Sequence, residues 1–300
     1  MVLTTRYSTF TRTKYIFRNS NFIYTRFLNF GRRHKTLDLK SNLKLNSLLQ
    51  TLKKDGIVIT NVKEIFGEQE GTEYLQSFVN WITANESNLA QHDIKKFLYS
   101  YFGKNPDSKV LDFSNPFFSF FLSKEILEFA TSYLRYIPQL NDVMIEKTVP
   151  VGNSSARQSQ NWHRDPQEKR TLKIFLYLNE VKMTSGPFIY IKGSSPTSKG
   201  KYSKLAPQVL PGGSYPEEKM INQNVNKSDL VTAIGSPGTI IFCDTAGLHR
   251  GGLATNDERI MATAFYPSIR YTHGRGYTLS SQISAETVAD NELVRKALVL

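Results

Sequence analysis

The stretch NWHRDPQEKRTLKIFLYL, residues 161–178, places a histidine and an aspartate shortly before a run that strongly favours a β-strand. His163 and Asp165 are two residues apart, and an extended chain sends side chains i and i+2 to the same face. An imidazole and a carboxylate would then point to one location, where a metal ion could bind both. A surface turn, with Asp165 bonded to backbone and His163 solvated, is the alternative that this stretch alone leaves open.

The run after this motif is one of several short β-rich segments between Val143 and about residue 268. Its alternation predicts that Lys173, Phe175 and Tyr177 share one face of a strand. Several strands at this spacing, separated by turns, are typical of a sandwich or barrel.

The first half of the chain is predicted to be mainly helical. Residues 41–56 have apolar side chains at helical spacing and end at Gly56, directly before a short strand. Amphipathic periodicity predicts further helices, which cover residues 73–84, 92–102 and 123–137.

Charge is concentrated at the N-terminus. The 300-residue chain has a formal net charge of +12, and eight basic residues with no acid precede Asp38. A segment rich in Arg, Ser, Thr and aromatics resembles a mitochondrial-type transit peptide, but a disordered arm that binds anionic surfaces has the same composition. Residues 1–40 are therefore interpreted as a basic arm, disordered or targeting.

Composition limits the remaining classes. The single cysteine, Cys243, excludes an intramolecular disulfide and a cysteine-rich zinc site. No apolar run approaches the roughly 20 residues that cross a bilayer. We expect a soluble, intracellular protein without a membrane span, located in the cytoplasm or an organelle.

A third metal ligand is predicted at His249, which follows a strand in GTIIFCDTAGLHRGG, residues 238–252. Two histidines and one carboxylate leave several coordination positions open, as in the facial arrangement of non-haem Fe(II) oxygenases. The same three ligands also suit a catalytic zinc ion, so a zinc hydrolase is an alternative. Arg259, ten residues beyond His249, opens the next strand.

The order of these features resembles the phytanoyl-CoA dioxygenase family of Fe(II)- and 2-oxoglutarate-dependent oxygenases. The resemblance rests on WHRD, LYLNEV, SGPFIYIKGSS and the His249 segment with Arg259 after it, and it runs from about residue 45 to about 268. One departure is the sequence Gly193-Ser194-Ser195, where the family commonly has Gly-Ser-His.

The resemblance implies an α+β protein, mainly β with a helical N-terminal half, whose core is a double-stranded β-helix (jelly-roll or cupin-like) flanked by helices. It implies iron on His163, Asp165 and His249, with 2-oxoglutarate as co-substrate. Arg259 would grip the distal carboxylate of 2-oxoglutarate through two hydrogen bonds. Tyr177 and Lys173 are further candidates for binding the co-substrate, although core packing and a solvent-directed ammonium are the respective alternatives.

The predicted layout is a single oxygenase domain over residues 41–300. Its β-helix core covers about 142–268, residues 193–228 form an insertion loop, and a C-terminal helix covers about 284–299. Asp244 could orient His249 or belong to a turn, and Trp162 could line a pocket or pack in the core.

The expected activity is hydroxylation of a small organic or lipid-like molecule with dioxygen, releasing succinate and carbon dioxide. A carboxylate at position 165 argues against a halogenase, because related halogenases carry a small residue there. The competing hypothesis is a non-catalytic β-helix binding module whose basic arm engages polyanions. Nucleic acid is not favoured as a partner, and the sequence does not determine the oligomeric state.

Overall fold

The computed structural model describes residues 42–89, 115–150, 155–156, 158–165, 170–206, 215–267 and 292–298, together with short strands at 93–95, 98–100, 110–111 and 278–279. The predicted basic arm, residues 1–40, lies outside the described residues. Among the helices that are described, none is both long enough and apolar enough to cross a membrane.

Helices form most of the described chain before residue 140, as predicted. The first helix buries Leu45, Leu49 and Leu52 on one face and begins at Asn42, whose side chain accepts from the Leu45 N–H. It ends at Gly56, where φ is 81°. A β-carbon on Gly56 would lie 2.2 Å from the Tyr190 hydroxyl, so this turn requires glycine. The helices are α1 (Leu43–Asp55), α2 (Val62–Phe66), α3 (Glu68–Leu89), α4 (Pro116–Phe121), α5 (Lys124–Leu134), α6 (Glu218–Asn224) and α7 (Glu292–Leu298).

Strands follow the β-rich runs of the sequence. They are β1 (Ile57–Asn61), β2 (Asp93–Lys95), β3 (Leu98–Ser100), β4 (Val110–Leu111), β5 (Asp142–Thr148), β6 (Leu172–Tyr177), β7 (Phe188–Ile191), β8 (Leu230–Ala233), β9 (Thr239–Asp244), β10 (His249–Gly251), β11 (Arg259–Tyr266) and β12 (Thr278–Leu279). The larger sheet has the order β1-β9-β6-β11-β5-β3-β2, and a smaller sheet has the order β10-β7-β8. Strands β4 and β12 form a parallel pair.

One predicted helix is wrong. Residues 92–102 contain β2 and β3 instead, and β3 extends the larger sheet by pairing antiparallel with β5. This segment has closely spaced aromatic residues at 97, 99, 101 and 102. Aromatic side chains favour strands, and the open edge of β5 offers a partner, so sheet pairing outweighs the apparent helical periodicity.

The chain alternates between the two sheets. Strands β5, β6, β9 and β11 belong to the larger sheet, whereas β7, β8 and β10 belong to the smaller one. An isolated antiparallel bridge between His163 and His249 adds the segment between β5 and β6 to the edge of the smaller sheet. These eight segments form a double-stranded β-helix, which confirms the predicted α+β architecture.

Two buried clusters lie on opposite faces of the larger sheet. One contains Leu172, Ile174 and Leu176 of β6 and packs against the helices. The other contains Phe175 and Tyr177 and lies between the sheets, where it also includes side chains of β7 and β8. The alternation predicted for β6 is thus confirmed, and its inner face points into the β-helix.

The segment predicted as an insertion loop contains helix α6, and the described part of the predicted C-terminal helix is α7. The division of the chain into an arm and a single domain stays a prediction.

Candidate metal centre

Three metal-capable side chains converge beside β10. His163 and His249 face each other in their bridge, with reciprocal backbone hydrogen bonds of 3.0 Å. Asp165 is fixed two residues later, where its N–H donates to the Thr245 carbonyl at 2.8 Å. One ligand atom from each of the three side chains lies within 4.8 Å of the other two. A single ion could contact all three after small side-chain shifts.

Both imidazoles are oriented for metal binding through Nε2. His163 Nδ1 lies 2.8 Å from the Asn161 carbonyl, and His249 Nδ1 lies 2.9 Å from the Gly247 carbonyl. A carbonyl oxygen only accepts, so each Nδ1 carries the proton and each Nε2 presents its lone pair. These Nε2 atoms are 3.9 Å and 4.0 Å from Asp165 Oδ1.

The charge states also suit a divalent cation. Burial, followed by the nearby His163, lowers the pKa of His249 to about 3, which keeps its imidazole neutral at physiological pH. Burial alone would raise the pKa of Asp165, but Lys173, His249 and His163 together hold it below its ordinary value. Two neutral imidazoles and one carboxylate are a donor set for iron or zinc.

Lys173 lies at this centre. Its ammonium is 2.7 Å from Asp165 Oδ2, and the two side chains are 21% and 9% exposed. Burial opposes the charge of Lys173, but the neighbouring Asp165 raises the pKa of the lysine above its ordinary value. The lysine therefore contacts a candidate metal ligand, and a contact with 2-oxoglutarate stays a prediction.

Arg259 is buried close to β10. Its guanidinium donates to the Gly186 carbonyl and, at 3.2 Å, to the Thr148 hydroxyl. It is 7% exposed, its Nε has no hydrogen-bond partner among the described residues, and no described carboxylate forms an ion pair with it. A buried cation without an acidic partner is costly, so this position favours an anionic ligand.

The position of Arg259 relative to His249 follows from Gly251. His249 and Gly251 are two residues apart on β10, so both face the same side of the strand. A β-carbon on Gly251 would lie 3.8 Å from Arg259 Nη2. The guanidinium therefore lies beside β10, on the strand face that Gly251 shares with His249.

Tyr177 is completely buried beside Arg259. Its hydroxyl donates to the Ala233 carbonyl at 2.7 Å and accepts from the Phe188 N–H at 3.3 Å. Burial raises the pKa of Tyr177, and Arg259 opposes this increase. The phenol thus joins β6 to the smaller sheet, and its contact with a co-substrate stays a prediction.

Asp244 does not contact His249, so the possibility that it orients this histidine is wrong. Its carboxylate accepts from the hydroxyls of Tyr133 and Ser195 at 2.6 Å each, and from Thr197 at 3.1 Å. Backbone N–H groups of Thr171 and Ala246 also donate to it. Ser195, which marks the departure from Gly-Ser-His, therefore belongs to a buried network that anchors its loop to β9.

Arg164, between the two motif ligands, was missed by the sequence reasoning. Its guanidinium donates to the carbonyls of Ala206 at 2.8 Å, Ala246 at 2.9 Å and Tyr202 at 3.0 Å, and also to that of Ser194. Burial lowers its pKa to about 10. The residue ties the loop after β7 and the loop between β9 and β10 to the segment that carries His163 and Asp165. Nothing in the local sequence distinguishes it from a surface arginine.

A covering segment, residues 215–224, lies over this region. The Tyr215 ring is perpendicular to His163 with centroids 6.3 Å apart, and Tyr215 is 41% exposed. Arg250 pairs with Glu218 at 2.6 Å and lies 4.7 Å above the Trp162 ring. Trp162 is buried in an apolar cluster beneath this segment, so it packs in the core.

No protein-family model matches the chain, and no curated protein matches its sequence. Similar solved structures include the epimerase SnoN with Fe³⁺, alpha ketoglutarate and nogalamycin RO (16% identity, 74% of this chain and 82% of that chain, TM-score 0.48). EctD from S. alaskensis with 2-oxoglutarate and 5-hydroxyectoine is 16% identical. The match covers 74% of this chain and 76% of that chain, with a TM-score of 0.47. HygX from Streptomyces hygroscopicus with nickel, 2-oxoglutarate and hygromycin B is 15% identical. The match covers 74% of this chain and 87% of that chain, with a TM-score of 0.45.

Proposed function

We propose that this chain is an Fe(II)- and 2-oxoglutarate-dependent dioxygenase that hydroxylates a small organic or lipid-like substrate. His163, Asp165 and His249 would hold the iron. Three protein ligands leave three positions of an octahedral ion for a bidentate 2-oxo acid and dioxygen. The carbonyl partners of both Nδ1 atoms support this assignment, since they fix each imidazole with its Nε2 towards the ion.

Arg259 is the observation that carries the proposal. A metal site alone fits a zinc hydrolase equally well, but such an enzyme does not need a buried, acid-free guanidinium. The Gly251 contact puts the Arg259 guanidinium on the same face of β10 as His249. A molecule that binds the iron by its 2-oxo acid end could place its distal carboxylate on Arg259.

Bound iron would supply the oxidising chemistry, in which the co-substrate is converted to succinate and carbon dioxide while the substrate is hydroxylated. The chain supplies positions and surroundings. Asp165 occupies the site that must be vacant for halide binding. The Phe188 ring lies 5.5 Å from His249 and 4.8 Å from Phe175, so apolar rings border the centre on this side.

The test compares co-substrate affinity in Arg259→Ala with the parent, by calorimetry of the Fe(II)-loaded protein without oxygen. Loss of a buried charge-assisted contact costs about 2 to 5 kcal/mol. Binding of 2-oxoglutarate should therefore weaken by roughly thirty-fold or more, whereas pyruvate, which has no distal carboxylate, should bind both proteins alike. Iron affinity should change little.

Arg295→Ala is the matched control, since Arg295 is an exposed residue of α7. Parent-like 2-oxoglutarate affinity in Arg259→Ala would refute the carboxylate grip. A parent protein that retains zinc and binds no 2-oxoglutarate would refute the oxygenase and favour the hydrolase.

A further inference from the structure

The two oxygens of Asp165 have different partners. Oδ1 is the oxygen nearest the imidazoles, at 3.9 Å from His163 Nε2 and 4.0 Å from His249 Nε2. Oδ2 is 2.7 Å from the Lys173 ammonium. One oxygen therefore faces the candidate metal position while the other is held by a cation.

Lys173 is fixed in the middle of the larger sheet. Its strand pairs on both sides, so that Lys173 lies opposite Cys243 on β9 and opposite Phe265 on β11. Its ammonium also lies 5.6 Å from the centre of the Phe265 ring. Because the backbone is bonded on both edges and the side chain packs on a ring, the ammonium can act as a rigid support for Asp165.

We propose that Lys173 is a positioning residue which retains Oδ2 of Asp165, so that this carboxylate binds the metal through Oδ1 alone. The inference rests on the metal site of the proposed function. A carboxylate that bound through both oxygens would occupy a fourth position of an octahedral ion and leave two. With Lys173 in place three positions remain, which a bidentate 2-oxo acid and dioxygen together require.

This assignment differs from a grip on the distal carboxylate of 2-oxoglutarate. Phe265, opposite Lys173, is six residues along β11 from Arg259 (259 to 265), which is roughly 20 Å between backbone positions. The ammonium also contacts a metal ligand directly. Lys173 thus serves the metal end of the site, and Arg259 serves the other end.

The experiment uses Mn²⁺, a stable paramagnetic probe, in place of Fe(II). Proton relaxation of the solvent, measured without 2-oxoglutarate, counts the exchangeable water molecules on the bound ion. The parent should hold about three waters, and Lys173→Met about two, because the released carboxylate binds through both oxygens. Lys173→Arg, which keeps a cationic donor, should restore the parent value. Lys147→Met is the matched control, since Lys147 pairs with Glu258 instead.

The water count separates positioning from simple charge. Loss of a nearby cation would by itself strengthen Mn²⁺ binding without changing the number of waters. Equal counts in the parent and Lys173→Met would overturn the role of Lys173 and leave the proposed function intact. A parent that binds no Mn²⁺ and no Fe(II) would overturn both. If Lys173→Met does not fold, Lys173→Gln takes its place, since its neutral amide holds Oδ2 less strongly than an ammonium. A water count below that of the parent is expected, and an unchanged count would overturn the proposal.

Discussion

Tyr133 on α5 and Asp244 at the end of β9 are joined by a buried hydrogen bond of 2.6 Å, although 111 residues separate them in sequence. The same carboxylate oxygen accepts from Ser195. Helix α5, the larger sheet and the loop after β7 therefore meet at one carboxylate. This network supports the loops beside the metal centre from behind.

Replacement of Tyr133 by phenylalanine should destabilise the protein by about 1–3 kcal/mol, because a buried acceptor loses a donor while the ring is kept. Chemical denaturation measures the change. Tyr74→Phe is the control, since the half-buried Tyr74 hydroxyl bonds no described residue in the structure. Equal stabilities of the two variants would show that the hydrogen bond to Asp244 contributes nothing.

Replacement of Arg164 by methionine should cost roughly 3 kcal/mol or more, since several buried carbonyls lose a donor at once. Arg164→Lys should recover only part of this loss, because an ammonium cannot reach carbonyls in the planar arrangement of a guanidinium. Denaturation gives the stability, and limited proteolysis near Tyr202 reports release of its loop. Full recovery in the lysine variant would contradict the planar contact set.

The metal-free protein should lose stability as the pH falls from 6.5 towards 3. His249 has a pKa of about 3 in the folded state, lowered first by burial, and about 6.5 in the unfolded chain. Within this window the unfolded state therefore binds more protons than the folded state. The stability that comes from burying a neutral His249 imidazole is fully present only above pH 6.5 and is lost as the pH falls. Each pH unit costs up to about 1.4 kcal/mol.

This pH dependence is measured by chemical denaturation of the protein after its metal has been removed with a chelator. The measurement covers pH 6.5 to 5, where most carboxylates remain ionised. His249→Gln removes the titrating group and should give a shallower slope than the parent. Identical slopes would mean that His249 is not buried as a neutral imidazole.

The sequence predicted those features that depend on residues only a few positions apart. Alternation in β6 identified its inner face, and the i, i+2 spacing of His163 and Asp165 placed both on one side of an extended segment. The strand before His249 indicated the third candidate ligand, which the structure brings close to the other two. Each of these inferences uses neighbours within a few residues, where backbone geometry alone determines direction.

Contacts between distant segments were beyond such reasoning. Arg164 reaches carbonyls 30 to 82 residues away, and Lys173 meets Asp165 only because β6 lies beside the segment that carries this carboxylate. The helix predicted over residues 92–102 is wrong for a related reason. Strand β3 pairs with the edge of β5, which lies more than 40 residues away in sequence and cannot be recognised from the local pattern.

The most direct measurement of the central claim is the visible spectrum of the protein with Fe(II) and 2-oxoglutarate in the absence of oxygen. Chelation by a 2-oxo acid gives a weak charge-transfer band, which we expect for the parent, and which should be absent when succinate replaces 2-oxoglutarate or when His249 is replaced by alanine. A parent protein that binds Fe(II) and shows no such band at saturating 2-oxoglutarate would contradict the assignment.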